Sequence, residues 1–235
     1  MSTVISDSFG RFKEMSWFPK IHGLPVLVIG AGGIGSWLNL LLARAGANLY
    51  IYDFDHCDAG NLAGQLFKNA DIRKSKVEAI SAIISEFCDQ GVEVEIFPER
   101  YVPQSPSNPI VLTALDNMST RRLAFENWQK FLKDNPEEVK KSLFMDGRLS
   151  VEVIQIFCIK GDDIESQNKY EKEFLFSDEE VEEAPCTMRA TSHIGAMIAS
   201  HMIGFLTNSL GEEFRSVPFF WQYSVPIDLM TNDPF

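Results

Sequence analysis

Gly30, Gly32, Gly33 and Gly35 space a G-x-G-x-x-G turn, Gly30-Ala31-Gly32-Gly33-Ile34-Gly35, with Ser36 behind it. Glycines in that pattern permit a tight turn, let the backbone approach a phosphate, and let a helix pack closely on a sheet. A helix opening just beyond the turn offers unpaired N–H groups and the positive end of its dipole to an anion. Asp53 follows roughly 20 residues on, where a carboxylate can accept from ribose hydroxyls. The combination predicts a nucleotide site. Alone it does not separate a nicotinamide dinucleotide from ATP, and its competing reading is a glycine-rich turn kept only for packing.

These residues need elements to hold them. Residues 24–30 (LPVLVIG) read as a buried parallel strand ending at the turn. Residues 33–46 have helical spacing and stop at Gly46, a C-cap. Residues 47–53 form a second strand, 74–88 a helix, 92–97 an alternating strand and 110–115 a buried strand. The segment 98–109 contains Pro98, Pro103, Pro106 and Pro109 and is a loop. A helix over 119–133, strands at 142–146 and 151–159, and a helix of small and apolar residues over 188–207 complete the pattern. The order predicts an α/β fold: a Rossmann-like doubly wound, mostly parallel sheet with antiparallel C-terminal strands. The acidic stretch 161–185 is expected to be a flexible crossover loop, and residues 1–235 a single domain. His193 and His201, on the last helix, are too few for a metal and read as core or interface. Trp37, Trp128, Phe219, Phe220 and Trp221 read as core and dimer contacts.

Composition narrows the classes. With 235 residues, 45% apolar and 23% charged, the chain can bury a sizeable core, which excludes disorder as its main state. The net charge of −12 argues against a nucleic-acid face but permits a locally basic nucleotide pocket. No apolar run reaches the roughly 18 residues of a membrane span, and the first residues lack a secretion signal, so a cytoplasmic location is expected. The four cysteines, Cys57, Cys88, Cys158 and Cys186, form no C-x-x-C pair, so reduced thiols and no structural zinc are expected.

The residues after Asp53 are more specific. Asp53-Phe54-Asp55 leads into Asn61-Leu62-Ala63-Gly64-Gln65, then Asp71-Ile72-Arg73-Lys74-Ser75-Lys76, then Asp116-Asn117-Met118-Ser119-Thr120-Arg121 and Asp146-Gly147-Arg148. From about residue 24 to 210 the chain resembles the ThiF/MoeB family, adenylating enzymes that activate ubiquitin-like proteins. The matching motifs are a G-x-G-G-x-G-S loop, D-x-D, N-L-x-R-Q, a lysine near the next helix start, and D-N-x-x-x-R.

The resemblance implies ATP with Mg²⁺ as cofactors. It places Gly30, Gly32, Gly33 and Gly35 at the nucleotide, Asp53 at the ribose with Asp55 beside it, and Asn61 and Gln65 along the phosphates. Lys76 is the phosphate-binding cation. Asp116 is the Mg²⁺ ligand, an oxygen donor suited to a hard ion, flanked by Leu115 and Asn117. The alternatives are a helix-surface lysine at 76 and a helix-capping aspartate at 116. Arg11 is the candidate for an arginine that relatives contribute from near the N-terminus, often across a dimer. Cys186, in Pro185-Cys186-Thr187, resembles a thioester-forming cysteine, and a place at a helix start near Arg189 would favour its thiolate; the competing reading is a small buried residue.

The match fails at Gly64, where the family carries an arginine; Lys68, Arg73 or Lys74 are the substitutes in range. The implied partners are a small ubiquitin-like or sulfur-carrier protein with a C-terminal glycine, a second copy in a homodimer, and a conjugating enzyme. The rival readings are adenylation of a peptide, small molecule or modified tRNA, and a non-catalytic nucleotide-binding partner subunit.

Overall fold

The computed structural model describes residues 9–11, 13–88, 91–150, 153–177, 192–211 and 217–224. Strand β1 (Pro25–Ile29) alternates Val26 and Val28 toward one apolar layer with Leu27 and Ile29 toward another. A strand apolar on both faces belongs inside a parallel sheet. Strands β2 (Asn48–Tyr52) and β4 (Ile110–Thr113) flank it in parallel. Beyond them lie β3 (Val94–Phe97) and β5 (Leu143–Ser150), also parallel. Strands β6 (Val153–Lys160) and β7 (Phe220–Ser224) add antiparallel. The sheet has seven strands in the order β3-β2-β1-β4-β5-β6-β7, so the expected architecture holds. Strand β5 runs past the expected 142–146 because all eight of its residues pair with β6.

One face of the sheet is covered by α2 (Gly35–Ala45), α3 (Lys76–Phe87) and α6 (Ser192–Leu210), through Leu38, Leu42, Ile80, Ile84, Ile198 and Met202. A short helix, α1 (Phe18–Ile21), precedes β1. As expected, α2 ends at Gly46, whose φ of 95° is the left-handed C-cap conformation. The opposite face is covered by α4 (Met118–Asp134), which buries Phe125, Trp128 and Leu132. The indole N–H of Trp128 donates to the Pro109 carbonyl at 3.1 Å, so its one polar edge is satisfied.

The crossover after β6 differs from expectation. Residues Ile164–Lys169 form α5, capped by Asp163, and Tyr170–Phe174 continue as a π-helical turn. Tyr170 is fully buried against the rings of Phe125, Phe157 and Phe144, at centroid distances of 4.9, 5.3 and 5.8 Å. The Arg122 guanidinium donates to the Leu175 carbonyl and ties the end of the turn to α4. Three apolar anchors, Tyr170, Phe174 and Leu175, hold this part of an otherwise acidic segment on the sheet. Residues 178–185 of the expected loop lie outside the described residues.

Helix α6 has two close seats, seven residues apart. A β-carbon on its Gly195 would stand 2.4 Å from the Gly33 carbonyl oxygen, and one on Gly147 of β5 would stand 2.7 Å from the sulfur of Met202. The aromatic run at the end of the described chain is β7, an edge strand whose Trp221 ring packs 4.3 Å from the His201 ring of α6.

Candidate nucleotide site

The chain leaves β1 toward β2 and β3, then returns to β4 on the other side of β1. In open α/β sheets the crevice beyond the C-terminal ends of two such strands receives the ligand. Gly30 ends β1 there. Its φ is 106°, and a β-carbon on it would lie 2.4 Å from the Ala114 carbonyl oxygen past the end of β4. Conformation and space both demand glycine.

Asp53, past the end of β2, closes onto the loop. Its Oδ2 accepts the Ala31 N–H at 2.7 Å, and its Oδ1 accepts the Asp55 N–H at 2.8 Å. Burial raises its pKa above the usual carboxylate value; the two N–H donors and Lys76 oppose this without cancelling it. An aspartate whose pKa is raised becomes neutral earlier as pH falls. Nucleotide affinity, titrated from about pH 7 down to about pH 4, is therefore expected to fall with a midpoint above the ordinary value of about 3.9. Asp53→Asn should remove that step.

Lys76 is the first residue of α3, and it is not a surface lysine. Its side chain is 9% exposed and its Nζ donates to Asp55 Oδ2 at 2.8 Å. The pair is set by backbone. The Lys76 N–H donates to the Asp55 carbonyl at 2.9 Å, and the Cys57 N–H donates to the Lys74 carbonyl at 2.9 Å. Residues 55–57 and 73–76 thus run antiparallel, with a bridge between His56 and Ser75. Asn61 sits in a reciprocal cap with Asp58: its N–H donates to Asp58 Oδ1 at 3.0 Å, and its Oδ1 accepts the Asp58 N–H at 3.2 Å. The Leu66 N–H donates to Ser36 Oγ at 3.0 Å, holding this loop on the first turn of α2. The neighbouring Gln65 buries its Oε1 with no hydrogen-bond partner among the described residues.

At the end of β4 the cap of α4 is Asn117, whose Oδ1 accepts the Thr120 N–H at 2.8 Å. Asp116 is therefore not the cap. It is exposed and accepts from the Asn117 amide at 3.2 Å. Beneath it lies a buried network. Asp146 of β5 accepts from Thr113 Oγ1 (2.7 Å), Arg121 Nε (3.0 Å), Arg148 Nε (2.5 Å) and the Tyr170 hydroxyl (2.9 Å). Arg121 also donates to the Leu115 carbonyl, one residue before Asp116. Burial alone would raise the Asp146 pKa, but Arg121, Arg148 and Thr113 outweigh it and hold the group below the usual range.

The structure brings the glycine loop, Asp53, Asp55, Lys76, Leu115, Asp116 and Asn117 to one edge of the sheet, with Asn61 and Gln65 on the loop beside it. It does not bring Arg11 there. Phe9, two residues earlier, packs against Gly46 at the far end of α2, and Arg11 is exposed. The 11 residues of α2 separate it from the glycine loop by about 16 Å. Cys186 lies outside the described residues. Burial raises the thiol pKa of Cys57, aided by Asp71, and pushes Cys158 up to about 12, so both are held as thiols at neutral pH.

Among the described residues no group of three or more His, Cys, Asp or Glu is arranged around a metal. The exposed carboxylate of Asp116 nevertheless fits Mg²⁺, which takes one or two carboxylates and draws its remaining ligands from phosphates and water.

Gly195 reaches the site from α6, as its contact with the Gly33 carbonyl shows. Gly195→Ala is expected to displace the nucleotide loop and weaken ATP binding about tenfold or more with the fold retained, measured by calorimetry beside a circular dichroism spectrum.

A glycine turn closed by an aspartate, with a buried lysine beside it at the switch point of a doubly wound sheet, is the arrangement of a Rossmann-like α/β protein. The model of the ThiF family matches residues 11–232, and the chain belongs to that family. It is similar to the adenylyltransferase and sulfurtransferase MOCS3 of Aedes aegypti, 31% identical over 56% of this chain and 31% of that protein. It is also similar to SUMO-activating enzyme subunit 2 of Dictyostelium discoideum, 34% identical over 46% of this chain and 17% of that protein. The chain thus spans less than a third of the length of these two relatives. Its fold matches the crystal structure of E. coli tRNA N6-threonylcarbamoyladenosine dehydratase, TcdA, in complex with ATP. There the TM-score is 0.65 at 14% identity, over 89% of this chain and 96% of that one. No helix among the described residues is long and apolar enough to cross a membrane.

Proposed function

We propose that this chain is an ATP-dependent adenylating enzyme that activates the C-terminal carboxylate of a small ubiquitin-like or sulfur-carrier protein ending in glycine. The observation that carries the reading is the ion pair from buried Lys76 to Asp55 beside a glycine loop closed by Asp53, with the exposed Asp116 just past the end of β4. The carrier's carboxylate oxygen attacks the α-phosphorus, the bond to the β-phosphate breaks, and pyrophosphate leaves with the electron pair. Lys76 and the N–H groups at the start of α2 stabilise charge on the phosphate oxygens. Asp116 would hold Mg²⁺, which would supply further neutralisation of that charge. Arg11, remote from its own chain's site, would serve the site of a second copy in a homodimer.

Cys186 lies six residues before Ser192, a reach of at most about 21 Å, and α6 touches the nucleotide loop within its first turn. In a second step its thiolate attacks the acyl carbon of the adenylate, AMP leaves, and a thioester remains for a conjugating enzyme to accept.

Pyrophosphate exchange with glycine-ended carrier proteins tests the reading. Carrier-dependent exchange is expected, lost in Asp116→Ala and kept in Cys186→Ser, which should form no reducible adduct. ATP binding without exchange for any carrier, peptide or tRNA would instead support a non-catalytic partner subunit, the reading that Gly64 favours.

A further inference from the structure

The described site is short of positive charge. Asp53, Asp55 and Asp116 face a triphosphate with one buried cation, Lys76, whose ammonium already donates to Asp55. The other basic groups near this edge are engaged. Lys68 Nζ donates to both carboxylate oxygens of Glu86, at 2.9 and 3.1 Å. Lys74 Nζ donates to Asp71 Oδ1 at 3.0 Å. The Arg100 guanidinium lies over the Phe54 ring, 3.6 Å from its centroid. Arg121 and Arg148 are bound to Asp146. Arg73 is exposed and has no ion-pair partner among the described residues.

Its backbone is unusual as well. Arg73 has a φ of 75°, the left-handed region that favours glycine, and no other non-glycine described residue has a positive φ. The conformation is locked: the Arg73 N–H donates to the Cys57 carbonyl at 2.8 Å, in the same antiparallel stretch that seats Lys76 against Asp55. A glycine would hold this turn without strain. An arginine kept there, unpaired, and three residues before the phosphate lysine points to a use for its side chain.

We propose that Arg73 binds the β- and γ-phosphates of the triphosphate, supplying the cation that is absent at Gly64. The inference rests on the adenylation reading and refines it. As the carboxylate attacks the α-phosphorus and the bond to the β-phosphate breaks, negative charge builds on the departing pyrophosphate. A guanidinium donating to those oxygens favours departure, and no proton need move.

Because the α-phosphate is common to ATP and AMP, the two nucleotides separate this role from a structural one. Calorimetry on the full chain should show that Arg73→Gly loses about tenfold or more in ATP affinity and less than about twofold in AMP affinity. Its thermal midpoint should equal or exceed that of the parent, since strain is relieved. Arg73→Lys should recover part of the ATP affinity, and the exchange variant Arg73→Gly with Gly64→Arg most of it. Unchanged ATP affinity in Arg73→Gly, or equal losses for ATP and AMP, would overturn the proposal in a parent chain that binds ATP. A parent chain that binds ATP but shows no pyrophosphate exchange would overturn the adenylation reading while leaving the phosphate contact standing.

Discussion

Asp146→Ala is expected to lower the unfolding free energy by about 3–5 kcal/mol, because it strands buried cations without a partner. Asp146 is inaccessible to solvent, and Arg121 and Arg148 are 5% and 7% exposed. Thr113 and Tyr170 lose their acceptor at the same stroke. Tyr170→Phe, which removes one hydroxyl and keeps the ring, should cost about 1–3 kcal/mol. Urea denaturation of the three proteins checks the order. The pH dependence follows from the direction of the shift. Asp146 is held below its unfolded value, so its contribution is complete above about pH 4 and is lost as pH falls further, through the depressed folded value. The parent should therefore lose stability steeply in that acid range and Asp146→Ala should not. A variant as stable as the parent at neutral pH would remove the network from the account of the fold.

Lys76→Ala is expected to reduce ATP affinity about 10- to 150-fold, the range of one charge-assisted hydrogen bond. Pyrophosphate exchange should fall further, because charge on the phosphates is greater in the transition state than in bound ATP. Stability should change little by comparison, since the partner Asp55 has a side chain 48% exposed and can return to water. Calorimetry with ATP and exchange assays at saturating nucleotide separate the two effects. Undiminished ATP affinity in Lys76→Ala would take the lysine out of the site.

The sheet was legible in the sequence because each central strand is a short apolar run and the glycine turn marks its first crossover. The positions of Asp53, Lys76 and Asp116 were legible for the same reason: they stand at strand or helix ends that periodicity locates. Tyr170 was not, since its acidic neighbours mimic a solvated loop and only its burial against Phe125, Phe144 and Phe157 reveals it. Asp146 and its two arginines are visible as residue types, but their convergence depends on β4, β5 and α4 meeting in space. Arg11 is the reverse case, a residue near in sequence and distant in its own chain's fold. It is close to the glycine loop along the chain, yet β1 runs the depth of the sheet between them and leaves Arg11 at the opposite end of that strand.

The two seats of α6 restrict how this helix can vary in length. Gly195 lies under the Gly33 carbonyl and Met202 lies over Gly147. Inserting or deleting a single residue between them would rotate one seat by about 100° relative to the other. Either Ile194 or Ala196 would then be driven toward the glycine turn, or Met202 would leave its place over Gly147. Viable length changes in descendants or designs of this chain must therefore fall outside that heptad, which acts as a ruler between the glycine turn and the antiparallel pair β5 and β6.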